Sequence, residues 1–120
     1  MNSHFTNRIL SEISASDKVW ESTIKSSLMK TFKDDGLDHL DIDIKVTPGN
    51  QGRIINTTTV RVKTETGLDI GYLQFWIRFE NNKYEIERVR ASYAFANSEF
   101  TKALERDLLD NIDKLHKKNG

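Results

Sequence analysis

Leu73-Gln74-Phe75-Trp76-Ile77-Arg78-Phe79 and Tyr84-Glu85-Ile86-Glu87-Arg88-Val89-Arg90-Ala91-Ser92-Tyr93, with Asn81-Asn82 between them, decide the fold. Apolar and polar residues alternate on both sides of the asparagines, the period of a half-buried strand. Asn-Asn tolerates the positive φ angles of a two-residue type I′ turn. The spacing therefore predicts a long β-hairpin between Leu68 and Phe95.

Counting outward from the turn exposes a conflict. Phe79 meets Tyr84 and Ile77 meets Ile86, apolar pairs on a shared face. An unbroken register would next set Phe75 against Arg88 and Leu73 against Arg90. The apolar set of the second strand has meanwhile moved to Val89, Ala91, Tyr93 and Phe95, the opposite parity. Burying an arginine without a partner is costly. One extra residue near Glu87-Arg88, a β-bulge, repairs the parity and curves the sheet. The rival arrangement is a long sheet whose two faces are covered at different ends.

With the bulge in place, the outer face carries Tyr72, Trp76 and Arg78 from the first strand of the hairpin. Glu85, Glu87, Arg88 and Arg90 join from the second, and Arg78 is expected to pair with Glu85. Arg61 and Lys63 belong to the same face if Val60 and Val62 point inward.

Working outward, Leu40, Ile42, Ile44 and Val46 alternate with polar residues and read as an earlier strand. Pro48-Gly49-Asn50-Gln51-Gly52 reads as a turn. A β-branched strand from about Arg53 to Thr64 follows, and Glu65-Thr66-Gly67 turns the chain into the hairpin. Before the sheet, Phe5, Ile9 and Ile13, then Trp20, Ile24, Leu28 and Phe32, recur at helical spacing. Ser16 is a candidate N-cap beside Asp17, with a break or kink near Ser14–Ser16, and Gly36 suits the left-handed position past a helix end. After the sheet, Phe100, Leu104, Leu108, Ile112 and Leu115 form one stripe from Ser98 to Lys117, capped by Asn97 or Ser98. His116, Lys117 and Lys118 stand at its negative end.

The expected fold is α+β in one domain over residues 1–120: an N-terminal helix (kinked into two if the break is real), a curved four-stranded antiparallel meander, and a C-terminal helix packed on one face. At fold level this resembles many helix-on-sheet proteins, cystatin-like ones included. No motif specifies a family.

The 120 residues are 37% apolar and 30% charged, so the core must be economical. Eighteen cations balance eighteen anions. A general polyanion binder normally carries an excess of cations. No cysteine is present, which excludes disulfides, thiolate nucleophiles and cysteine-bound zinc. No apolar run approaches a membrane span, and Met1 to Arg8 lacks the core of a secretory signal, so a cytoplasmic protein is expected.

The acids Asp34, Asp35, Asp38, Asp41 and Asp43 lack the spacing of a calcium loop, and solvation explains them. His4, His39 and His116 form no cluster in sequence and read as solvated or capping. No cofactor and no catalytic constellation are expected. The aromatic and arginine face around Tyr72, Trp76, Arg78, Arg88, Arg90, Arg61 and Lys63 is the candidate site. Its first reading is a protein-binding surface on a small inhibitor, immunity or adaptor module of a microbe or phage. The alternatives are a single-stranded nucleic-acid binder using the same face, or a ligand-binding or enzymatic domain with a pocket between helix and sheet. The bland reading is that the arginines cover the aromatic rings and pair with the glutamates. Phe5, Ile9 and Ile13 would have little left to cover within one small sheet, which suggests a contact with a second copy (a homodimer) or with another protein.

Overall fold

The computed structural model describes residues 18–52 and 54–119. Helix α1 (Lys18–Asp34) leads into strands β1 (Asp41–Gln51), β2 (Ile54–Lys63), β3 (Asp69–Glu80) and β4 (Lys83–Ala91), and helix α2 (Glu99–Asn119) follows. The strands form one open antiparallel sheet in chain order. The expected α+β meander is thus the fold. Phe5, Ile9, Ile13, Ser16 and the break near Ser14 lie outside the described residues.

Both helices lie on the same face of the sheet. Trp20, Ile24, Leu28 and Phe32 of α1 and Leu104, Leu108 and Ile112 of α2 are buried there with Val60, Val62, Leu73, Phe75 and Ile77. Each such side chain contributes roughly 1.5–3 kcal/mol relative to exposure. The helices run antiparallel, joined by a polar seam. Asn111 donates to Ser27 Oγ at 2.9 Å, and Thr31 donates to Asp107 at 3.0 Å.

The helix ends follow local chemistry. Gly36 takes a φ of 74°, and the Gly36 and Leu37 amides donate back to Lys33 and Phe32, closing α1. Ser98 Oγ accepts the Thr101 amide at 3.1 Å and caps α2. Asn81 and Asn82 have φ angles of 55° and 60°, as a type I′ turn requires.

The bulge is where parity placed it. Trp76 faces Arg88 and Ile77 faces Ile86, so Glu87 is the extra residue. Beyond it Phe75 faces Val89 and Leu73 faces Ala91, apolar against apolar. A second extra residue, Ile55, sits on the other flank of β3, between the pairs Ile54–Arg78 and Asn56–Ile77. The extra residue on β4 is charged, whereas Ile55 is buried in the core. Both irregularities fall beside Ile77 and crease the sheet there.

Two expectations are corrected. Pro48, Gly49, Asn50 and Gln51 belong to β1 rather than to a turn. A proline is tolerated there because β1 is an edge strand, with only β2 beside it. Gly49 is required because a Cβ there would lie 2.2 Å from the Ile54 carbonyl oxygen, beside the Ile55 bulge. Tyr93 is 99% exposed instead of inward, because β4 ends at Ala91 and the chain turns at Ser92. Phe95 alone of that pair returns to the core.

One polar pair is buried on the inner face. Thr58 donates to Asn56 Oδ1 at 2.6 Å, and Asn56 Nδ2 has no partner. Removing both polar groups relieves that orphan, whereas removing one creates another. Thr58→Val is expected to lower stability by about 1–2 kcal/mol, and Asn56→Val with Thr58→Val to recover it. Urea unfolding of the single and double variants checks this. By the same measurement Gly49→Ala should lose about 1–3 kcal/mol, since backbone rather than a mobile side chain must yield.

Candidate functional site

Among the described residues, neither helix covers the opposite face of the sheet. Three rows of cross-strand neighbours run along it. Asp43 of β1 faces Arg61 of β2, which faces Tyr72 of β3. Lys45 faces Thr59, which faces Gln74, which faces Arg90 of β4. Thr47 faces Thr57, which faces Trp76, which faces Arg88. Past the crease, Arg78 faces Glu85.

Every residue singled out from the sequence therefore lies on this face. Val60 and Val62 are fully buried, which turns Arg61 and Lys63 outward. Tyr72 and Trp76 are half-buried rather than fully exposed. The Arg88 guanidinium sits 5.2 Å from the centre of the Trp76 ring and covers it. Lys45, Thr57, Thr59 and Gln74 belong to the same rows but were not singled out. The alternation of β1 places Lys45 on the polar side, and following that row across the sheet would have found it. Gln74 donates to Thr59 at 3.2 Å.

The cations divide into two groups. At the crease Arg78 bonds Glu85 and lies 3.6 Å from Glu87, and Lys83 lies 3.6 Å from Glu85. The expected Arg78–Glu85 pair is thus present. Arg78's hydrogen bond and charge hold the Glu85 carboxyl below its usual range, and the same bond raises the guanidinium. Lys45, Arg61, Lys63, Arg88 and Arg90, by contrast, have no carboxylate at ion-pair distance among the described residues. This holds although Asp41 and Asp43 stand directly across from Lys63 and Arg61 in the register. Those four side chains instead line an open recess of about 310 Å³ at the sheet's corner. The bland reading accounts for Arg78 and Arg88 but leaves Lys45, Arg61, Lys63 and Arg90 unmatched.

His116 departs from its expectation. It is half-buried at the far end of α2, where its Nδ1 shares a 2.9 Å hydrogen bond with Tyr84 Oη. Its ring lies 5.3 Å from Phe79, and Trp20 lies 5.3 Å from Tyr84. His39 is exposed, and His4 lies outside the described residues. Among the described residues no group of three His, Cys, Asp or Glu side chains is placed to hold a metal ion. No helix among them is long and apolar enough to cross a membrane.

Compared with models of known families, with curated proteins and with solved structures, the chain matches none.

The Glu85 shift gives a pH test. Its folded pKa is lowered, so the pair's stabilisation is complete above the ordinary carboxylate value of about 4.3. It is lost as pH falls through the lowered value. Thermal melts of wild type and Glu85→Gln should differ most near neutral pH and converge below about pH 4.3. A gap that stays constant with pH would remove this pair from the acid response.

Proposed function

We propose that the protein is a non-catalytic protein-interaction domain of the inhibitor, immunity or adaptor kind, which binds a protein partner through the outer sheet face. The observation that supports this reading is the setting of Trp76 and Tyr72. Both are half-buried at the centre of a face that the helices leave uncovered, with arginines beside them. Interface hot spots are enriched in these three residue types, and such anchors work when their neighbours hold them in place. Arg88 holds Trp76 in that way. The filled inner face and the crease give the outer face a rigid support.

The test is affinity capture with chemical crosslinking from cells that naturally express the protein. Wild type is compared with Tyr72→Ala and Trp76→Ala, each first shown by circular dichroism to be folded. A shared partner should be lost or weakened about 30-fold with either variant, the scale of a 2 kcal/mol hot spot. Identical recovery with both variants would remove this face from partner binding.

A further inference from the structure

The division of the cations points to the chemistry of the partner. We infer that the outer face docks an acidic protein segment, whose carboxylates meet Arg61, Arg88, Arg90 and Lys45 while an apolar group rests on Tyr72. The inference rests on the protein-binding reading above and specifies its partner.

Charge complementarity carries it. Lys45, Thr59, Gln74 and Arg90 form one row across all four strands, and Arg61 and Arg88 lie in the rows on either side. The four cations are exposed and lack carboxylate partners among the described residues. They thus surround a polar, hydrogen-bonding centre from every side. Three are arginines, whose planar forks suit bidentate carboxylates. The cationic zone is short. Acids border it at both ends: Asp41 and Asp43 at the start of β1, and Glu85 and Glu87 beside the crease. A compact cluster of carboxylates fits between these borders.

A nucleic-acid strand fits less well, although its phosphates would meet the same arginines. Base stacking needs open ring faces, and Arg88 covers Trp76. Tyr72 lies four residues along β3 from Trp76, about 13 Å at the usual strand rise. Bases stacked along a strand are about 3.4 Å apart, so neighbouring bases cannot use both rings. A longer strand running parallel to β3 would also carry its phosphates over the bordering acids.

The probes are a fluorescein-labelled 20-residue polyglutamate and a labelled dT20 oligonucleotide, titrated by anisotropy with wild type, with Arg61→Glu combined with Arg90→Glu, and with Lys33→Glu. Lys33 is an exposed lysine in the last turn of α1 and serves as the charge control. Polyglutamate should bind wild type and the control alike. It should weaken at least about tenfold with the double variant, and again as salt rises and the screening length shortens. Three results would overturn the inference: no polyglutamate binding at low salt, equal binding by the double variant and wild type, or tighter binding of dT20 than of polyglutamate. Capture of a partner that still depends on Tyr72 and Trp76 would, in those cases, leave the protein-binding reading standing. Loss of that dependence as well would end both.

Discussion

A guanidinium cannot be buried without a partner, and β4 carries two of them on alternate positions. Arg88 and Arg90 would enter the core if β3 and β4 paired without interruption. The extra residue at Glu87 prevents this and returns Val89 and Ala91 to Phe75 and Leu73. The consequence reaches across the sheet. On the other flank of β3, Ile55 is inserted at nearly the same level, and Gly49 of β1 makes room for the backbone that results. Both neighbours of β3 thus carry an extra residue beside Ile77, where the sheet bends, and β3 carries one of its own, Ile70, near its start. The two insertions differ in chemistry because they serve different faces. The apolar extra residue joins the core, and the acidic one meets Arg78 outside.

The inner face explains why the outer one is held in place. Phe32 and Phe100 meet edge to face at 4.8 Å where α1 ends and α2 begins. At the opposite end Trp20, Phe79, Tyr84 and His116 tie the start of α1, the tip of the hairpin and the end of α2 together. The polar seam of Ser27, Thr31, Asp107 and Asn111 lies between these two aromatic contacts. Such hydrogen bonds add less free energy than the apolar contacts, but they fix which residues face each other along the two helices. Bound at both ends and in the middle, the helical layer of the described residues leaves the sheet one face to present.

Much of this was legible because strand parity is a strict rule. Once Asn81-Asn82 is taken as the turn, the bulge near Glu87, the Arg78–Glu85 pair and the outward Arg61 and Lys63 all follow from counting by twos. What escaped was set by neighbours in space. Pro48 and Gly49 are turn formers by propensity, yet an edge position and the nearby Ile54 carbonyl keep them in β1. Ile55 gave no parity conflict of its own, since its strand is β-branched on both faces. Tyr93 continued the alternation of β4, but the strand stops at Ala91, and its exposure comes from that ending. His116 read as a capping residue because Tyr84 is remote in sequence, and the contact exists only once α2 lies along the hairpin.

The crease also partitions charge. Glu85 and Glu87, which lie between the turn and Arg88, neutralise Arg78 and Lys83 around the hairpin tip. The same cross-strand pairing is within reach of β1 and β2, where Asp41 and Asp43 stand opposite Lys63 and Arg61. There the side chains part around an open recess instead. If stability alone shaped this surface, both ends would be expected to close into pairs. One end does, and the other keeps its guanidinium groups turned to solvent beside Tyr72 and Trp76. An exposed arginine is hydrated at little cost, whereas an acid brought to it on a partner releases that water and gains a charge-assisted bond. The unpaired end of the face is therefore where an incoming carboxylate has most to gain, and the paired end is where it would be repelled.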